Sequence, residues 1–565
     1  MHSSLPRFAW ALVALVAGVA WFSVLDLRKL QHPDEGRYAE VAREMAQTGD
    51  VVTPRLNGLK YFEKPPLQYW LTAAAYHAFE VDQWTARLVP ALAGFLAVLI
   101  TGAATTRLAQ NETAGAYAAV VLVSSVMHVA MSHYATLDAL LAFCLTGALA
   151  CFLLAQRDSQ AASRVRALML SAFAFCAFAT LAKGLVALVI PAASLVLYTL
   201  VTRDTGPWRR LHVVPGTIVY LAITAPWFIL VMRENPEFAR FFFIYEHFDR
   251  FLTSTHRREG AWWYFVPLFL VGILPWLGML ALTAHRMWRD AMPSANGFRW
   301  PRFCIVWAGF VFAFFSLSGA KLPSYILPMF PPLAMMLGWQ LALLPDRSFR
   351  GAVPMAWAMA AALAIGLVGS LFAYEPMVAH YASERQPLAL FRAFRPWVIA
   401  AFSIWIVGAI AAAVAFRRPT LRARSTGIVA TGLTALVGLQ VAFVGHDAFR
   451  PTRSAWDILR DAENRLGARL DPGAPVFQVK GYDQTLPFYL GRPTTLVNFV
   501  DEFALGIAAE PSKAIADEAQ WITLWRDLPH GYALLQRDDY ERLAAAGLPM
   551  RVLARDPRRA LVARH

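Results

Sequence analysis

Charge is scarce in this chain: Asp, Glu, Lys and Arg make up 16% of its 565 residues, and hydrophobic residues 58%. Ordinary soluble domains carry roughly 25% charged residues. A water-soluble globule is therefore excluded for most of the sequence, and most of it belongs in lipid. The chain has only four cysteines, Cys144, Cys151, Cys176 and Cys304, all inside apolar stretches and without a C-x-x-C pair. That argues against a disulfide framework and against a cysteine zinc site. Phosphate loops of the G-x-x-x-x-G-K-[ST] kind, Rossmann glycine patterns and G-x-S-x-G elbows are also missing, which counts against ATP-driven transport and serine hydrolysis. No repeat or low-complexity tract is evident. The first apolar run, Phe8 to Leu25, follows a single Arg7 and ends without a clear A-x-A site, so an uncleaved signal-anchor fits better than a cleaved signal peptide.

Long apolar segments fill the space that charge leaves. Runs near 20 residues, each able to cross a hydrocarbon core of about 30 Å as a helix, recur from residue 8 to residue 445 and number about thirteen. The basic excess, 52 Lys and Arg against 38 Asp and Glu, falls on alternate loops. With a cytoplasmic N-terminus, the inside loops hold Arg107, Arg157, Arg203, Arg286, Arg347 and Arg417 with their basic neighbours, whereas the short outside turns hold single lysines, Lys183 and Lys321. Topology thus accounts for the basic residues, and no nucleic-acid partner is implied. The pattern predicts a polytopic α-helical membrane domain over residues 1–445, with a long first outside loop at 30–85. Residues 446–565 read as a soluble α/β domain on the outer side, with β-type runs at Ala474–Val479 and Ala533–Gln536 and a helix at Trp456–Leu470.

Candidate chemistry gathers in four outside segments. The first loop carries Asp34, Glu35, Arg37, Glu40, Glu44, Glu63 and Lys64, and predicts an amphipathic helix lying along the membrane interface, capped by Asp34. Tyr61 and Lys64 flank Glu63 just before Pro65 and Pro66, a stiff arrangement suited to a lipid head group. Asp138 opens an otherwise apolar span, where a carboxylate is costly and marks either a functional site or a helix cap. Lys183 raises the same question, with snorkelling as its alternative. A third segment brings His247, Arg250 and His256 among aromatics, and a fourth, GAKLPSYILP, brings Lys321 and Tyr325. Arg and Lys at a partly dry interface suit a phosphate. Glu63, His247 and His256 form a candidate divalent-metal set, although they lack H-E-x-x-H spacing and no cofactor is required by the sequence.

The runs HPDEGRYAEVAREM, YFEKPPLQYW, HYATLD, AKGLVALVIP, EHFDRF, HRREGAWWYFVP and GAKLPSYILP, in this order, resemble the lipid A aminoarabinose transferases, relatives of the protein O-mannosyltransferases with GT-C architecture. The resemblance implies an inner-membrane enzyme of Gram-negative bacteria that moves 4-amino-4-deoxy-L-arabinose from undecaprenyl phosphate to a lipid A phosphate, with inversion, and so confers polymyxin resistance. It implies about thirteen helices and an outer α/β domain. By the family's motifs the catalytic carboxylates fall on Asp34, with Glu35 beside it, and on Asp138. The lipid-phosphate contacts fall on Arg37, Tyr61, Lys64, Arg250, Lys321 and Tyr325. Gly36, next to the acidic pair, receives no mechanistic role. The alternatives are a polyprenyl-phosphate-dependent transferase acting on hydroxyls, as protein O-mannosyltransferases do, and a flippase for lipid-linked sugar. A flippase would carry ionisable residues deep in several spans, whereas the distinctive charges here gather at one face.

Overall fold

The computed structural model describes residues 5–157, 161–249, 260–289, 297–345 and 349–564, with the backbone alone for 245–249. Among these residues nine helices are long and apolar enough to cross a bilayer. Two bent pairs join them, Glu112–Val123 with Val126–Ser132 at 62° and Phe265–Gly272 with Leu274–Arg289 at 68°, along with two shorter apolar helices, Arg7–Phe22 and Val186–Thr202. Each lies on an apolar run that the sequence marks as a span.

Local chemistry sets the breaks. The helix Gln83–Ala109 starts where the Asp82 carboxylate accepts from the Gln83 amide at 2.7 Å. It stops at Gln110, in the left-handed region. Asn111 then caps the next helix, accepting from the Thr113 and Ala114 amides at 2.9 and 3.2 Å. At the 62° bend the Ser124 and Ser125 hydroxyls donate back to the Val120 and Val121 carbonyls at 2.6 and 2.7 Å. The Trp276 indole donates to Ser124 at 3.0 Å and so ties the two bent regions together.

The C-terminal domain holds one six-stranded sheet. Its strands are β3 (Val476–Val479), β4 (Thr495–Val497), β5 (Ala514–Ile515), β6 (Tyr532–Gln536), β7 (Arg551–Arg555) and β8 (Arg559–Ala563), β1 and β2 being the Arg55–Leu56 and Leu59–Lys60 hairpin of the first loop. The sheet order is β5-β4-β3-β6-β8-β7, parallel from β5 to β6 and antiparallel through β8 and β7. The sequences VFQV and YALLQ suit central parallel strands covered on both faces. One face packs Ile458, Leu459 and Leu486, and the other packs Trp521, Trp525 and Leu543. The helix expected from Trp456 to Leu470 ends instead at Leu466, because Gly467 turns left-handed there.

The first loop departs from expectation. Its helix, Asp34–Thr48, has Pro33 at the N-cap and no side-chain cap from Asp34, and ten of its fifteen residues are buried. Its charged face is not solvated as expected: the helix is clamped between the membrane helices and the C-terminal domain. Val41, Met45, Tyr61, Tyr69 and Leu137 share one apolar cluster with Leu496 and Phe503. Asn57 exchanges hydrogen bonds with the Thr494 backbone, both at 2.7 Å, and Arg55 pairs with Glu510 at 3.0 Å. Gly36 is what lets the domain approach: a Cβ there would stand 2.6 Å from the carbonyl carbon of Gln484. The helix can be buried because its charges neutralise one another locally, as in the fully buried Arg43–Glu40 pair at 2.5 Å.

Candidate functional site

Two adjacent carboxylates begin this helix and point to different surroundings. Glu35 is 1% exposed and lies between two guanidinium groups, with Arg28 at 2.8 Å and Arg87 at 2.8 Å. The Gln31 and Ala135 amides also donate to it, at 3.1 and 3.3 Å. Burial alone would raise its pKa, but Arg28 and Arg87 hold it down to about 2. Both Glu35 oxygens are engaged by these donors, so its surroundings are those of a structural anchor, unlike the catalytic placement beside Asp34 that the sequence suggests. Glu35 locks the loop before the helix onto the helix Gln83–Ala109. Asp34, by contrast, is 42% exposed and, among the described residues, has a single salt bridge, from Arg37 Nη1 at 2.7 Å.

Arg37 is itself buried, and its Nε faces Glu502 of the C-terminal domain in an ion pair. Glu502 also accepts from the Gln484 amide group at 2.8 Å. Burial raises the Glu502 pKa against the opposing pull of Arg37. Arg37, expected on the lipid phosphate, is thus held first by two carboxylates. Tyr61 stands near this guanidinium, buried, and its hydroxyl has no hydrogen-bond partner among the described residues. Lys64 is half-buried, and its ammonium donates to the Glu63 carbonyl at 2.6 Å.

A second group forms at the ends of the membrane helices. Asp138 opens the helix Asp138–Ala155 without capping it and pairs with Lys183, the last residue of Ala162–Lys183. The Lys183 ammonium lies 5.0 Å from the centre of the Tyr325 ring. Neither the cap at Asp138 nor simple snorkelling at Lys183 describes this arrangement: the two charges hold each other, and a third segment, through Tyr325, covers them. Lys321 does something else. Its ammonium donates to the carbonyls of Ser316 and Ser318 at 2.8 and 3.0 Å and of Phe315 at 3.5 Å. It closes the C-terminal end of the helix Trp300–Leu317. In this structure the ammonium expected on the lipid phosphate faces backbone carbonyls.

The two groups meet through Leu137, which packs with Tyr61 and Tyr69, and through the Ala135 amide on Glu35. Three of the four separated segments therefore converge. For the remaining segment, Arg250 and His256 lie outside the described residues, as does the side chain of His247, so the proposed metal set retains only Glu63 in view. Among the described residues no three His, Cys, Asp or Glu side chains converge. Sequence reasoning missed Arg28, Arg87, Gln484 and Glu502. The first two had a usable signal, since Arg87 sits five residues into an apolar span, where an arginine requires a partner. The last two lie some 450 residues from Arg37 and carried none.

Residues 8–289 match the family model for dolichyl-phosphate-mannose-protein mannosyltransferase, and residues 463–564 match the one for the aminoarabinose transferase C-terminal domain. Fold and site together define a polytopic membrane glycosyltransferase of the GT-C class. The undecaprenyl phosphate-alpha-4-amino-4-deoxy-L-arabinose arabinosyl transferase of Aeromonas hydrophila is 32% identical over 72% of this chain and 73% of its own. The corresponding enzyme of Erwinia tasmaniensis is 32% identical over 63% of this chain, and the match spans 64% of that relative's length. The crystal structure of ArnT from Cupriavidus metallidurans bound to undecaprenyl phosphate superposes with a TM-score of 0.90 at 38% identity, covering 99% of each chain. The chain belongs to this aminoarabinose transferase family.

Proposed function

We propose that this protein transfers 4-amino-4-deoxy-L-arabinose from undecaprenyl phosphate to a phosphate of lipid A, at the periplasmic face of the bacterial inner membrane. The observation that carries the reading is the end-to-end likeness, at 38% identity, to a structure holding undecaprenyl phosphate. In the reaction the bond from the sugar's anomeric carbon to the donor phosphate oxygen breaks, and an acceptor phosphate oxygen forms the new bond from the opposite face. Undecaprenyl phosphate leaves with the bonding pair. An ionised phosphate acceptor has no proton to give up, so no strong general base is needed.

In this reading the roles divide. Asp34, the open carboxylate, faces the positive charge that develops on the sugar or the amine it carries. Lys64, Lys183 and the Tyr61 and Tyr325 hydroxyls, with Arg250, balance the departing phosphate. Asp138 holds Lys183 in place. In this assignment the chain's own cations carry the phosphate charge; a divalent ion held by Glu63, His247 and His256 is the competing arrangement, and turnover that EDTA abolishes and Mg²⁺ restores would establish it.

The test is purified enzyme supplied with lipid-linked aminoarabinose and lipid A, with added aminopentose read by mass spectrometry. Asp34→Asn should lose turnover while keeping donor binding, and Lys64→Ala should weaken donor binding. Near-normal turnover in both variants would remove the proposed site.

A further inference from the structure

We infer that Glu502, contributed by the C-terminal domain, is a positioning residue for sugar transfer: it holds the Arg37 guanidinium from the side away from Asp34 and thereby fixes the Asp34 carboxylate at the open edge of the site. The inference rests on the transferase reading above and adds a role for the domain that covers the first loop.

The three charges form a line that runs from buried to open. Glu502 is 6% exposed, Arg37 9% and Asp34 42%. Glu502 is anchored on its own side by the Gln484 amide group at 2.8 Å, and Gln484 is where the domain backbone presses on Gly36. Arg37 therefore cannot swing away with a flexible surface, as the arginine of an exposed i,i+3 pair would. Its Nε contact with Glu502 is an ion pair without hydrogen-bond geometry, and the same rigid, planar guanidinium donates from Nη1 to the Asp34 oxygen at 2.7 Å, so its placement carries over to Asp34.

Charge counting supports the same role. Asp34 alone with Arg37 would be a neutral pair, offering little to a cationic centre. With Glu502 taking a share of the guanidinium, the triad carries a net negative charge, and its only exposed member is Asp34. A carboxylate placed solely to hold the domain down would be a poor choice, since its burial is costly and other contacts already make that attachment. Asn57 with Thr494, Arg55 with Glu510 and Arg43 with the Gly491 carbonyl at 2.8 Å all join the same surfaces.

The test is a double-mutant cycle on the full-length protein in detergent, with Arg37→Ala, Glu502→Ala and both together. Turnover and donor KM are read for each, with Glu510→Gln as a docking control. Glu502→Ala should lower kcat about ten-fold or more, with donor KM within about three-fold of wild type, and the double variant should match Arg37→Ala, because Glu502 acts only through Arg37. Glu502→Asp should recover part of the loss. Glu510→Gln should loosen the domain, by proteolysis, without affecting the cycle. Wild-type kcat in Glu502→Ala, or losses that multiply in the double variant, would overturn the inference. If Glu502→Ala is not recovered folded, Glu502→Gln keeps the side chain's size while removing its charge, and the same cycle is read on it. A wild-type protein that fails to use the lipid-linked sugar would instead overturn the transferase reading.

Discussion

Replacing Glu35 by Gln separates structural from chemical roles within one pair of neighbours. Six donors converge on this carboxylate, three on each oxygen: Arg28, Arg87 and the Gln31 amide on one, and Arg28, Arg87 and the Ala135 amide on the other. A glutamine keeps one acceptor oxygen and turns its amino group toward the other three donors, leaving two buried guanidinium groups without a counter-charge. Breaking a buried ion pair in this way costs about 3–5 kcal/mol. A second magnitude comes from titration. The ordinary carboxyl value of 4.5 falls to about 2 in the folded protein, so at roughly 1.4 kcal/mol per pH unit the pairing contributes about 3 kcal/mol to stability. Because the folded value is depressed, that contribution is complete above pH 4.5 and is lost as pH falls from there through about 2. The assay is thermal unfolding by tryptophan fluorescence in detergent, repeated from pH 7 down to pH 3, with gel filtration to score recovery. Glu35→Gln should unfold at markedly lower temperature at pH 7 and lose the part of the acid slope that Glu35 supplies. A variant that melts like wild type at pH 7 but has lost turnover would refute the argument and return Glu35 to the chemistry.

Three further outcomes are expected. Asp138→Asn, which strands Lys183 at a largely buried position, should lower both stability and turnover, whereas Asp138→Asn with Lys183→Met should recover thermal stability and leave turnover low. Gly36→Val should drive its side chain into the Gln484 backbone and expose the C-terminal domain to limited proteolysis under conditions where wild type resists. Lys321→Met should cost about 1–3 kcal/mol in thermal stability through the lost helix-end hydrogen bonds, with donor KM unchanged; a large rise in donor KM would restore its role at the phosphate.

The membrane helices and the central strands of the C-terminal domain were legible because their signals are local. An apolar run of span length has few other readings, and VFQV or YALLQ between turn residues reads as a buried strand. Charged residues carry no such signal, since a carboxylate next to an arginine looks the same whether the pair is solvated, buried or set against a ligand. The Asp34–Thr48 helix therefore read as a surface helix, although residues 484 to 503 cover it. One residue did carry a hint. A glycine in the first turn of a helix costs up to about 1 kcal/mol relative to alanine, and Gly36 is repaid only by the backbone that packs on it.

The division between Asp34 and Glu35 follows from the same helix. Successive residues are turned by about 100°, so two adjacent carboxylates at its start cannot face the same surroundings once one side is committed. Arg87 commits it, because an arginine inside the span Gln83–Ala109 must find an acceptor close to the helix entrance, and Glu35 is the carboxylate turned toward it. Asp34 is left on the other side with Arg37, and Arg37 reaches onward to Glu502. The open carboxylate is thus defined by the arginines that claim its neighbour, and its position depends on a domain encoded more than four hundred residues later.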